Sequence, residues 1–393
     1  AHYAEDGFAV TRTLALNART KQDELKDSPG FIDKFIIDGA PPKEGQRFRQ
    51  PRIAATFKRL ANHGLDDFYR GEFAHEIAAD LERAGSPLRL DDLERHKALL
   101  VTPLSLRVAG HDVFNMPPPT QGLASLLLLG VYERLGVAAA EDFDFVHGLV
   151  EATKRSFRIR DRYVTDPAYM DIDPATFLNG AKLDAMAADV DPEQALPWPN
   201  LTQKGDTVWL GAVDKEGRAV SFIQSIYWEF GSGTVLENSG IMWQNRGTSF
   251  SLDPSHHNCL KPHRRPFHTI QPAIARLADG RVMTYGTMGG EGQPQTQAMV
   301  FTRHIMYGQG LQEAVTAPRW LLGRTWGAET MNLRIENRFD PAVIQALRRA
   351  GHDIEEIGAF DEIMGHAGAL VHYPNGLIEG AADPRGDGAA AGA

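Results

Sequence analysis

Cysteine is almost absent from this chain: Cys259 is its one thiol in 393 residues. A single thiol excludes an intrachain disulfide and any multi-cysteine metal site, so packing must hold the fold together. Positive charge is also short, with 41 Lys and Arg against 51 Asp and Glu and a formal net charge of −10. That balance excludes a general nucleic-acid partner, because phosphates reward a basic surface. The basic run Lys261-Pro262-His263-Arg264-Arg265 does not reverse it. It reads as a solvated loop or local anchor, with a place near an acidic substrate as the alternative. No apolar stretch approaches the roughly 20 residues of a membrane helix. The longest, Leu123 to Val131, is interrupted by Ser125 and Gly130 and suits a buried helix, so no membrane partner is expected. Internal repeats are missing, and low complexity is confined to Gly388 through Ala393. The chain opens Ala1-His2-Tyr3 without a methionine, from which we expect residues upstream of it. Its compartment stays open between cytoplasm and periplasm.

What is present changes character midway. Helical periodicity runs over Ile53–Asn62, Asp67–Ala84, Thr120–Leu135 and Phe143–Val164. Leu104–Ala109 and Asp112–Asn115 read as a hairpin around Gly110-His111, followed by the stiff stop Met116-Pro117-Pro118-Pro119. From Asp189 to Gly205 the chain is rich in Pro and polar residues, the composition of an exposed linker. Strands dominate afterwards: Val208–Val213 and Ala219–Ile226 around the turn Asp214-Lys215-Glu216-Gly217, then Gln271–Leu277 and Arg281–Gly286, with Met331–Glu336 and Gly368–Tyr373 further on. Helices are predicted again at Gln293–Gly308 and Pro341–Ala350. The sum is an α+β fold, antiparallel sheet covered by helices.

Chemistry gathers at Asp206-Thr207, where a hydroxyl heads a predicted strand. Threonine at a strand edge ordinarily just suits the pleat. If the Asp206–Thr207 bond were cut, however, Thr207 would carry a nucleophilic hydroxyl and a free α-amino group to serve as its base. The hairpin sets Ser225 opposite it, a second hydroxyl within reach. A glycine-rich loop, Gly286-Thr287-Met288-Gly289-Gly290-Glu291-Gly292, links a predicted strand to a helix. Its spacing is not that of a dinucleotide site and no βαβ pattern surrounds it. A plain turn is one reading; an oxyanion hole, where bare N–H groups approach a developing charge, is the other. The run Ser255-His256-His257-Asn258-Cys259, with His263 and His268 beyond it, matches no standard ligand spacing, so no metal or cofactor is expected.

In this order the motifs Asp67-Phe68-Tyr69-Arg70-Gly71, Met116-Pro117-Pro118-Pro119, Asp166-Pro167, Val213-Asp214-Lys215-Glu216-Gly217, Phe230-Gly231-Ser232-Gly233, Gly289-Gly290 and Ala382-Asp383-Pro384-Arg385 resemble the γ-glutamyltranspeptidases, N-terminal nucleophile hydrolases, over essentially the whole chain. The resemblance implies a four-layered αββα sandwich from which an N-terminal portion, with the family's substrate-gripping arginine, is absent. It implies that residues 1–206 form the later part of a large subunit and 207–393 a small subunit, intertwined in one domain. It also implies self-cleavage between Asp206 and Thr207, with the processed halves staying associated; homo-oligomerisation is left open. Thr207 matches the nucleophile, Ser225 a threonine that hydrogen-bonds it, and Gly289 and Gly290 the oxyanion pair.

Departures from the family pattern fall on the substrate side. Tyr227 and Ser249 stand where transpeptidases hold the glutamyl head group with an asparagine and an aspartate, and His268-Thr269 stand where paired serines are common. Tyr227-Trp228-Glu229-Phe230-Gly231 and Trp243-Gln244-Asn245-Arg246-Gly247 look like the branch of transpeptidase-like amidohydrolases that includes oxamate amidohydrolase. Arg246 is then expected to pair with a small carboxylate or to form a structural ion pair, and Glu229 to replace the lost acid or to cap a loop. The expected substrate is a small-molecule amide, an oxamate-like acid amide or a γ-glutamyl amide. A true γ-glutamyltransferase or glutathione hydrolase is the first alternative, and a non-catalytic, partner-stabilising fragment is an alternative from another class.

Overall fold

Every residue from Gly122 to Tyr132 is buried in the helix Gly122–Arg134, which is apolar on all sides rather than striped. Such a helix must lie inside a core. Gly130 lets it approach its neighbours, since a Cβ there would meet Leu106 Cδ2 at 2.7 Å and Leu183 Cδ1 at 3.0 Å. Beside it runs Phe143–Tyr163, capped by the Asp142 carboxylate, which accepts the Phe145 N–H at 2.8 Å. With Gln293–Phe301 these helices pack on a six-stranded sheet. The computed structural model describes residues 1–198, 206–323 and 331–392.

The strand order of that sheet is Ile378–Ala382, Ala367–His372, Val282–Thr287, Ala273–Arg276, His111–Asn115, Leu104–Val108, antiparallel throughout. The pair Leu104–Asn115 joins strands far later in sequence through Asp112 opposite Arg276 and Phe114 opposite Ile274. Period-two alternation then divides the faces. Met283 and Tyr285 join the core that the helices build, whereas Thr284 and Gly286 face a second, two-stranded sheet, Asp206–Val213 with Ala219–Tyr227. Trp209 from this hairpin lies on Gly286 and Gly368; a Cβ on Gly368 would come within 2.5 Å of its ring, and one on Gly286 closer still. Helix, sheet and sheet are thus stacked in the order of an N-terminal nucleophile hydrolase. A smaller sheet pairs Leu333–Glu336 antiparallel with Trp320–Leu322 and parallel with Ile354–Ile357, the parallel crossover made by the helix Pro341–Arg349.

These elements belong to a compact unit of residues 101–227 and 246–393; residues 1–100 and 228–245 form another. In the latter, Phe31, Phe35, Phe48 and Phe230 make an aromatic cluster, with Phe35 and Phe230 centroids 4.7 Å apart. The helix expected over Asp67–Ala84 is two, Asp67–Arg70 and Glu72–Arg83. Gly71 sits at the break, where the Asp67 carboxylate turns back to accept the Phe73 N–H at 3.2 Å.

Elsewhere the predicted elements are found with boundaries moved by a few residues. The helix expected over Gln293–Gly308 is α-helical to Phe301 and widens to a π-turn over Thr302–Met306. The predicted linker fares differently along its length: residues 189–198 are tied down by buried side chains, and residues 199–205 lie outside the described residues. Arg264 and Arg265 of the basic run serve as anchors. Arg264 is buried and donates to Cys259 O at 3.0 Å and Thr165 Oγ1 at 2.9 Å, and Arg265 pairs with Asp166 at 3.0 Å. No helix among the described residues is long and apolar enough to cross a membrane.

Candidate active site

Along the first strand of the hairpin, Thr207, Trp209 and Gly211 share the face turned toward the six-stranded sheet, while Val208 and Leu210 are exposed. The pairing register shifts between Asp206 and Val208, so that Ser225 and Ile226 of the partner strand together oppose Thr207. There the Thr207 hydroxyl reaches Ser225 Oγ at 3.2 Å. Ser225 Oγ also accepts the Tyr227 N–H at 2.9 Å. From the start of the helix Gln293–Phe301, Gln293 Nε2 donates to Thr207 Oγ1 at 3.4 Å.

Gln293 opens the helix that follows the glycine-rich loop. In that loop φ is +115° at Gly289 and +52° at Gly290, the left-handed region that side chains disfavour by about 1–2 kcal/mol. The loop is pinned from below. Gln121 Nε2 donates to Gly290 O at 2.8 Å and to Thr269 O at 2.6 Å, and its own oxygen accepts Arg160 at 3.1 Å. Arg160 in turn pairs with Glu291 at 2.9 Å. Burial acts against the Arg160 charge, but Asp161 and Glu291 outweigh it and raise its pKa. Gln121, Arg160, Glu291 and Gln293 were not anticipated. Glu291 lies inside the glycine-rich motif and was open to suspicion there; the others carry no spacing signal, because their partners are distant in sequence.

Arg246, Tyr227, Ser249 and Thr269 come together as a second group. The Arg246 guanidinium stacks 3.4 Å above the centre of the Tyr227 ring and donates to Ser249 Oγ at 2.8 Å and Thr269 Oγ1 at 3.1 Å. Burial lowers its pKa to about 10, with Tyr227 working the other way, so it is cationic at neutral pH. Tyr227 has φ +84°, a strained conformation for an aromatic residue. His268 is held neutral, its pKa pulled well down by burial and then by the Arg246 charge. Its Nδ1 accepts the Ile270 N–H at 3.2 Å, which leaves the proton on Nε2. Glu229 belongs to the other unit, where its carboxylate faces Lys21 at 4.0 Å. Thr207 also borders a cavity of about 320 Å³ with Met288, His366 and Asp383, which none of these expected substrate contacts lines.

Cys259, at the end of the histidine-bearing run, is buried and its thiol points to Leu260 O at 3.5 Å. His147, Glu151 and His352 do converge, but their donor atoms are engaged. His147 bonds His352 and Asp191 O at 2.8 Å each, and Glu151 pairs with Lys154 and Arg155 at 2.7 Å each.

The family model for γ-glutamyltranspeptidase matches residues 1–393. The chain belongs to the γ-glutamyltranspeptidase family. Within that family it is 53% identical to the oxamate amidohydrolase proenzyme of Klebsiella pneumoniae subsp. pneumoniae, covering 99% of this chain and 74% of that one. It is 40% identical to the glutathione hydrolase-like YwrD proenzyme of Bacillus subtilis, again over 99% and 74%. The crystal structure of cephalosporin acylase from Bacillus halodurans superposes with a TM-score of 0.89 at 34% identity, covering 98% of this chain and 72% of that one. Membership of the γ-glutamyltranspeptidase family makes the protein an amide hydrolase of the N-terminal nucleophile class, acting on small molecules.

Proposed function

We propose that this amide hydrolase works through an acyl ester on Thr207, released by self-cleavage, and that its substrate is a small acid amide of the oxamate type. The observation that carries the reading is the Thr207 hydroxyl, 3.2 Å from Ser225 Oγ. In maturation, Thr207 Oγ attacks the carbonyl carbon of Asp206. The C–N bond breaks, the nitrogen takes the hydroxyl proton, and water hydrolyses the resulting ester to leave the Asp206 carboxylate and a free Thr207 amine. In turnover that amine accepts the Oγ proton as Oγ attacks the substrate amide. The N–H groups of Gly289 and Gly290 receive the oxyanion, and the amine returns the proton to departing ammonia. Water, deprotonated by the same amine, then cleaves the acyl ester and frees the acid.

For the substrate, the cation of Arg246 beside Ser249 and Thr269 suits a carboxylate held close to the amide. A relative at 53% identity named for oxamate supports the same class. Ammonia release from oxamate should exceed amine release from a γ-glutamyl amide, and Arg246→Gln should lower kcat/KM for oxamate by about 10- to 150-fold, the loss of one charge-assisted hydrogen bond. Preference for the γ-glutamyl amide would refute the assignment.

A further inference from the structure

Besides Arg160, the helix Phe143–Tyr163 buries four ionisable side chains, His147, Glu151, Lys154 and Arg155. Burying charge is costly unless it is paired and hydrogen-bonded, and these residues pair largely among themselves. Each also sends one hydrogen bond to the same stretch of main chain. Glu151 accepts the Leu196 N–H at 3.2 Å, and Lys154 Nζ donates to Leu196 O at 2.7 Å. Arg155 donates to Asp189 O and pairs with the Asp189 carboxylate at 3.2 Å. His147 Nε2 donates to Asp191 O at 2.8 Å; its Nδ1 therefore accepts, and His352 Nε2 must be the donor across their 2.8 Å contact. From the other side, the Ala195 N–H donates to Ala350 O at 2.7 Å, and Trp198 stands against Phe157 with ring centroids 6.4 Å apart. A stretch with the composition of a loose linker is thus gripped at 189, 191, 195, 196 and 198, and its last gripped residue is eight positions before Asp206.

We propose that the Glu151–Lys154–Arg155 cluster, with His147 and His352, is a clamp that positions the chain for self-cleavage at Asp206–Thr207. The inference rests on the self-processing reading above. An N-to-O acyl shift needs the scissile carbonyl carbon within attacking distance of Thr207 Oγ, and the rate of such a step is set by how narrowly the two are held. Fixing the upstream chain through Trp198 places an anchor eight residues before Asp206, which narrows the positions open to the scissile bond. These are positioning residues, since none touches the reacting atoms. Once the bond is cut, the same grip holds residues 189–198 without entering turnover.

Pulse-labelled translation of the full chain, chased and sampled on denaturing gels, gives the rate constant for conversion of one band into two. Lys154→Met removes the grip on Leu196 O, and Ala195→Pro removes the donor to Ala350 O from the segment side while leaving the buried charges paired. Each should slow cleavage at least tenfold, while molecules that have completed cleavage hydrolyse amide with a kcat within twofold of wild type. Should Lys154→Met fail to fold, Ala195→Pro carries the test alone. A wild-type chain that cleaves alongside variants cleaving within twofold of it overturns the clamp alone. Parallel losses in cleavage and in mature kcat overturn it too, by reducing the cluster to ordinary support. A wild type that stays whole overturns the self-processing reading first.

Discussion

At the scale of single residues, the site divides into groups that react and groups that hold. Thr207→Ala removes the proposed nucleophile and should lower kcat on the order of 10⁴-fold or more while the chain stays as one band on a denaturing gel. Ser225→Ala removes one hydrogen bond to Thr207 Oγ. At about 0.5–1.5 kcal/mol it should cost roughly 2- to 12-fold in kcat, with processing slowed rather than abolished. The pH profile follows from the base. An α-amine has an ordinary pKa of about 7.7–8.0 and acts only when deprotonated, so kcat/KM should climb through that range and level off above it. A profile flat between pH 6 and 9 would exclude the amine as base. His268 adds no inflection there, because burial and the neighbouring Arg246 keep it neutral across the range.

Among the secondary-structure elements, the hairpin that carries Thr207 meets the six-stranded sheet where Trp209 lies on Gly286 and Gly368. The indole N–H donates to Ser221 Oγ at 2.9 Å, which fixes the ring, so neither glycine has room for a side chain. Gly286→Ala should therefore cost about 1–3 kcal/mol, the usual penalty of overpacking, measured as a lower urea midpoint at unchanged slope. Activity should fall further than stability alone requires, because the strand that holds Gly286 runs directly into the loop that carries Gly289 and Gly290. The hairpin was readable from sequence, since alternation and turn chemistry need only neighbouring residues. The break at Gly71 was not. It depends on the Asp67 side chain competing for a backbone N–H, which periodicity does not register.

Over the whole molecule, charges that are rare in interiors mark places where distant segments join. Asp383 meets Arg319 at 2.5 Å and Arg385 at 3.1 Å and accepts the Ala367 N–H at 2.7 Å, while Arg385 reaches Glu336 at 2.6 Å. Burial works to raise the Asp383 pKa, but the two guanidinium groups and the N–H donors outweigh it and hold it below the ordinary carboxylate value. A depressed folded-state pKa contributes stability that is present above the unfolded value of about 3.9 and is lost as pH falls through the folded value. Stability should therefore drop as pH is lowered past about 4, and Asp383→Asn should be less stable at pH 7 but flatter over the acid range, measured by urea unfolding at a series of pH values.

The chain alone was enough to establish the α+β class, the hairpin headed by Thr207 and the glycine pair, because each is written in adjacent residues: alternation, turn chemistry, and glycine where a positive φ is needed. Family membership extended that reading to a reaction class. The partners of Arg246, the Arg160–Gln121 support beneath Gly290, and the conversion of a polar linker into a gripped segment depend on groups that meet across as many as 205 positions of sequence, as His147 and His352 do. Such pairings carry no local period and no fixed spacing. They exist once the core has closed, when the cost of burying a charge selects the partner that is near.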